Sequence, residues 1–90
     1  YTPASFSLEQ NYPNPFNPST KITFDLNNSG LTNLSIYNLL GQKVATVVNQ
    51  ELTAGRHTVD FNASNLSSGV YFYKLESGKN TATQKMMLLK

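Results

Sequence analysis

Ninety residues with 39% apolar content and no Cys make one small domain that packing alone must hold together, without disulfide, thiol nucleophile or Cys-ligated zinc. No apolar run reaches the roughly 20 residues of a spanning helix, so membrane insertion is not expected. The net charge of +2 is too small and too diffuse to suggest nucleic acid.

The charge is unevenly placed. Residues 1–73 carry three basic and four acidic side chains, whereas 74–90 carry Lys74, Lys79, Lys85 and Lys90 against Glu76. The carboxy-terminal tail is therefore the basic end. Elsewhere uncharged polar residues replace charge, with 11 Asn, 9 Ser and 9 Thr, which favour turns and strands over helix interiors. A chain of this size buries roughly 60–65% of its unfolded surface, for a net stability of about 5–13 kcal/mol. It opens at Tyr1 without an initiator Met or a signal-peptide pattern, as expected of one module cut from a longer protein. The apolar run before Lys90 is expected to be a natural carboxy terminus.

In chain order, a short strand is predicted around Phe6–Glu9. NYPNPFNP (11–18) follows, where three prolines fix φ and push the preceding residues towards extended geometry. KITFDL (21–26) alternates, with Ile22, Phe24 and Leu26 on one face. Asn27-Asn28-Ser29-Gly30 reads as a turn into NLSIYN (33–38), where Leu34 and Ile36 share a face. Leu39-Leu40-Gly41-Gln42 turns into KVATVV (43–48), which alternates less cleanly but is β-branched. Asn49 to Gly55 reads as a longer connection before HTVDFNA (57–63), where Val59, Phe61 and Ala63 align. Asn62 to Gly69 is long enough to cross between sheets. GVYFYKLE (69–76) then aligns Tyr71, Tyr73 and Leu75. Ser77-Gly78-Lys79-Asn80 reads as a hairpin turn into a last strand, TQKMMLL (83–89), of undecided facing. No stretch of ten residues carries a helical stripe. About seven strands at regular spacing predict an all-β fold, an immunoglobulin-like antiparallel β-sandwich.

A sandwich has two ends where its core meets water. Tyr12 and Phe16, framed by Pro13, Pro15 and Pro18, are expected to close one of them as a lid. Burying one aromatic ring is worth roughly 1.5–3 kcal/mol.

The motifs QNYPNPFNP, IYNLLGQ, AG-x-H-T-V-x-F, SSGVYFYKL and the closing K-x-x-L-x-K stand in this order along the chain. Together they resemble the type A carboxy-terminal sorting domain of the type IX secretion system of Bacteroidetes and related bacteria. The resemblance covers residues 8–90, leaving 1–7 as a linker from an upstream cargo domain. It implies a cargo that crosses the inner membrane by its own amino-terminal signal and whose terminal domain is read by the outer-membrane translocon. In many members a sortase-like peptidase then removes the domain at the cell surface and links the cargo to lipopolysaccharide. The cut would lie near Tyr1–Phe6 or upstream, and the destination would be the cell surface or the medium, by way of the periplasm. No cofactor is implied. The family's motif positions fall on Gly55, Gly69-Val70-Tyr71, Lys85, Leu88 and Lys90. The family also looks like the immunoglobulin-like domain of the flagellar hook-capping protein, whose role needs flagellar partners but no basic end.

These residues carry structural readings as well. Gly69 and Gly55 suit positions of positive φ, which cost a side-chain-bearing residue roughly 1 kcal/mol or more. Tyr71 and Tyr73 are expected to bury their rings and pair their hydroxyls, as in a tyrosine corner. Phe72 then faces outward with Val70 and Lys74, as plain surface or as part of a docking face. Lys85 to Lys90 reads as a last strand whose lysines blunt an edge, and equally as an edge that extends a partner's sheet.

Catalysis is not expected. His57 is the only His, and Asp60, three residues on along one strand, points to the opposite face. The five carboxylates are spread over five segments, with no phosphate-cradling Gly motif and no evident ligand loop for calcium. The rival to a sorting signal is a non-catalytic binding or spacer module, carbohydrate-binding or adhesive, although no Trp is present for stacking on sugars.

Overall fold

A computed structural model describes residues 6–90. The expected linker and the cut near Tyr1–Phe6 fall mostly on residues 1–5, outside the described residues. The described residues form seven strands and no helix. They are β1 (Ser7–Leu8), β2 (Ser19–Leu26), β3 (Gly30–Tyr37), β4 (Lys43–Leu52), β5 (Gly55–Asn62), β6 (Gly69–Ser77) and β7 (Asn80–Leu88). One sheet has the order β1-β2-β5 and the other β4-β3-β6-β7, all antiparallel. The two sheets form the expected all-β sandwich.

Period two decides what each strand buries. Ile22, Phe24 and Leu26 of β2 meet Leu34 and Ile36 of β3, and all five are fully buried. Phe61 of β5, Tyr71, Tyr73 and Leu75 of β6, and Met86 and Leu88 of β7 complete the core. The undecided facing of the last strand is thereby fixed: Met86 and Leu88 turn inward, Lys85 and Met87 outward. Asp60 bonds Lys21 outside, while His57 stacks on Phe24 at 5.6 Å.

One connection differs from expectation. Asn49–Leu52 continues β4 instead of forming a loop, and only Thr53-Ala54 leads on to β5 in the other sheet. Asn49, Gln50, Glu51 and Leu52 pair with Asn33, Thr32, Leu31 and Gly30. β4 lies at a sheet edge, where exposed polar side chains are tolerated, so its hydrophobic pattern fades before the strand ends. Irregularities beside Val44 and Val47 let both valines pack on the core and bend this border, which blunts it against further pairing.

Gly69 opens β6 at φ 152°. A Cβ there meets nothing within 4 Å, so the requirement is conformational, not steric. Gly69→Ala should lower stability by about 1 kcal/mol, read as a melting-temperature fall of about 4–8 °C. An unchanged melt would remove the backbone role.

Candidate functional site

β7 stands at one border of the four-stranded sheet, and the proline segment lies along it. Gln10 Nε2 donates to Lys85 O at 2.7 Å, and Met87 N donates to Asn14 Oδ1 at 3.0 Å. Phe16 N donates to Met87 O and Leu89 N to Phe16 O, each at 3.0 Å. Gln84 Nε2 adds a bond to Leu8 O at 3.0 Å. Lys85 O, Met87 N, Met87 O and Leu89 N, on the outward side of this segment, are thus already paired within the chain. The expectation that this edge extends a partner's sheet fails here, because the chain's own loop occupies that place.

The lid is one ring, not two. Phe16 is 2% exposed and packs at a tilt on Phe61, with ring centroids 6.4 Å apart. Tyr12 is 80% exposed and contributes no closure. Its backbone pairs with Lys21 in both directions, at 3.0 and 2.9 Å, so successive side chains alternate across this short bridge. Asn11 takes the inward place, with its Nδ2 donating to Thr20 Oγ1 at 3.0 Å and to Pro13 O at 3.1 Å. Pro13 and Pro15 lie at the surface and Pro18 is half-buried. The Pro13 and Pro18 carbonyls serve as acceptors, the latter for Ala63 N at 2.8 Å. The prolines frame the lid without being part of it.

Two tyrosines of β6 tie these parts together. Tyr71 O–H donates to Ser67 O at 2.7 Å, the local bond expected of a tyrosine corner. Tyr73 reaches across the sandwich, accepting from Asn11 N at 2.8 Å and donating to Glu9 O at 2.7 Å. Burial pushes the Tyr73 hydroxyl up to about 12, opposed by the bond from Asn11. Tyr73 holds its proton longer in the folded than in the unfolded chain, so its contribution is complete below pH 10. That contribution is lost as pH rises through 10 to 12, at about 1.4 kcal/mol per unit. Chemical denaturation of the native chain and of Tyr73→Phe across this window should show the steeper alkaline loss only in the native chain. Parallel profiles would count against the assignment.

The motif residues divide between core and surface. Leu88 is fully buried and pairs in register with Gly69, and Tyr71 is core as well. Lys85 and Lys90 are exposed. Lys90 Nζ donates to Ser64 O at 2.6 Å, and its backbone N–H donates to Ser68 Oγ at 3.0 Å. Phe72 is half-buried on the outer face, directly beside Lys85. The register extends this row to Tyr37 and Lys43, two residues not singled out from the sequence. A row of Lys43, Tyr37, Phe72 and Lys85 crosses four strands at one level. Its signal in the sequence is only that odd positions face outward on β3 and β7 and even ones on β6, with Lys43 set outward by the irregularity beside Val44, which no local pattern connects.

Charged groups elsewhere are knitted into the three-stranded sheet. Arg56 contacts Asp25 at 3.2 Å and Glu9 at 3.1 Å, bringing together two carboxylates from distant segments. Ser7 Oγ donates to Asp25 Oδ2 at 3.1 Å. Among the described residues no three His, Asp or Glu gather as metal ligands.

A family model described as a secretion system C-terminal sorting domain matches residues 10–89. The chain belongs to this family. No curated protein matches it. The terminal segment of the sorting domain thus runs where the proline segment covers the end of β7, with Lys85 and Lys90 exposed and Leu88 buried beneath. Among the described residues no helix is long and apolar enough to cross a membrane.

Proposed function

We propose that this domain is the export signal of an upstream cargo protein, read in its folded state by the type IX outer-membrane translocon. The family match across residues 10–89 is the observation that carries this reading. The domain acts by binding and performs no bond chemistry of its own. Lys85 and Lys90 form the handle, supported by Phe72 on the same outer face, while Leu88, Tyr71 and Gly69 hold that strand in place. Side chains, not strand addition, make the contact, since the border from Lys85 to Leu89 is occupied. A sortase-like peptidase is the second partner, cutting ahead of the folded unit, and the cargo ends at the cell surface or in the medium. Fusing residues 1–90 to a periplasmic reporter should export it in a type IX-competent host. Retention in the periplasm would count against the proposal.

One feature favours the rival carbohydrate-binding reading. Exposed Tyr12 and Pro13 border a groove of about 340 Å³ with Ser19, Thr20, Lys21 and Asp60. Binding on a glycan array, lost in Tyr12→Ala, would promote it.

A further inference from the structure

The turn between β3 and β4 presents two leucines to solvent from a rigid frame. Leu39 is 68% exposed and Leu40 83%. Their turn is closed by Asn38. Its Oδ1 accepts from Leu40 N at 2.9 Å and Gln42 N at 3.0 Å, and its Nδ2 donates to Gln42 Oε1 at 2.8 Å. Its backbone N–H and C=O bond Gln42 O and Gly41 N, each at 3.0 Å. So ordered a turn does not expose two leucines through fraying.

The sheet register puts this turn at the same end of the sandwich as the start of β6 and the end of β7. Leu89 and Met87 are also exposed there, at 52% and 40%. Apolar groups are thus concentrated at one end of a body measuring 37 × 24 × 17 Å.

Charge is distributed the same way. Lys43, Lys85 and Lys90 all lie at this end and are exposed, and none of the ion pairs among the described residues uses them. Lys21, a little further along, is neutralised by Asp60 at 2.7 Å. The other charged side chains lie towards the middle and the opposite end and carry a net −1. Three lysines outside any ion pair among the described residues therefore share this end with the exposed leucines.

We propose that this end of the sandwich docks peripherally on an anionic lipid surface. Leu39, Leu40 and Leu89 enter the boundary between headgroups and acyl chains, and Lys43, Lys85 and Lys90 lie against the phosphates. Leu and Lys are the pair that interfacial segments use, apolar below and cationic at the rim. Protein interfaces favour Trp, Tyr and Arg at their energetic centres and are depleted in Lys, with Leu under-represented among the residues that dominate binding. The inference goes beyond the sorting reading and does not depend on it, because translocon recognition requires no lipid.

The test is sedimentation of the 90-residue chain with vesicles. One set is phosphatidylglycerol and phosphatidylcholine in equal parts, and the other phosphatidylcholine alone. The chain should sediment with the anionic vesicles at low salt and not with the neutral ones, and 1 M salt, with a screening length of about 3 Å, should release it. Leu39→Asp with Leu40→Asp should abolish binding. Lys43→Gln with Lys85→Gln should weaken it about thirtyfold, at roughly fivefold per lysine. Leu31→Asp, at a residue 60% exposed at the opposite end, should change nothing. A chain that ignores anionic vesicles overturns the proposal, as does an equal effect of Leu31→Asp. Vesicle binding untouched by the leucine pair overturns it too. Loss of reporter export in the leucine variant without any vesicle binding would assign this end to a protein contact, and the lipid proposal would fall while the sorting reading stood.

Discussion

A reporter fused to residues 1–90 carrying Lys85→Glu and Lys90→Glu should stay in the periplasm of a type IX-competent host, while the native fusion leaves the cell. Both lysines are exposed and neither lies in an ion pair among the described residues, so reversing them removes little that holds the fold. Lys90→Glu gives up the bond to Ser64 O, a loss of about 0.5–1.5 kcal/mol for an exposed group. Reversing two charges at a contact turns attraction into repulsion, and like charges set against each other there cost several kcal/mol, roughly thirtyfold or more in affinity. Export and folding should therefore separate: the double variant keeps a cooperative melt and loses secretion. Deleting residues 85–90 would not separate them. It removes Met86 and Leu88 from the core, together with the backbone border that Phe16 binds. Undiminished export of the folded double variant would take these lysines out of recognition.

What the sequence made legible was local. Alternation in KITFDL and GVYFYKLE named the buried faces of β2 and β6, because period two is a property of the strand itself. The division within the terminal motif follows the same parity: Lys85 faces out, Leu88 in, and Lys90 lies past the strand, where its amine reaches Ser64. What stayed hidden was non-local or lay at an edge. The polar end of β4 carries no alternation, since an edge strand needs little burial there. The seal on β7 comes from Gln10, Asn14 and Phe16, more than 70 residues away in the chain. Nothing in NYPNPFNP announces that partner. Tyr12 reads as part of the lid because ring size suggests burial. A backbone bridge to Lys21 decided otherwise, giving the inward place to a small amide whose hydrogen bonds are satisfied. The row of Lys43, Tyr37, Phe72 and Lys85 exists only once three strand pairings are in register.

Phe16→Ala should cost about 3–5 kcal/mol, the usual loss for a large aromatic deleted from a core. Against a net stability of about 5–13 kcal/mol this is a quarter of the total or more. It should lower the melting temperature by at least about 12 °C. The ring supplies packing against Phe61, and the backbone on either side of it supplies two of the bonds that close the β7 border. Once the ring no longer holds the segment down, those bonds become the easiest in the sheet to open. Amide exchange at Leu89, which donates to Phe16 O, should accelerate more than at the core of β6. Tyr12→Ala should stay within about 0.5 kcal/mol of the native chain, as for other exposed positions. Equal costs for the two substitutions would mean that the segment closes the sandwich with both rings. Only the unequal pair places the closure in Phe16 and leaves Tyr12 available to whatever meets the surface.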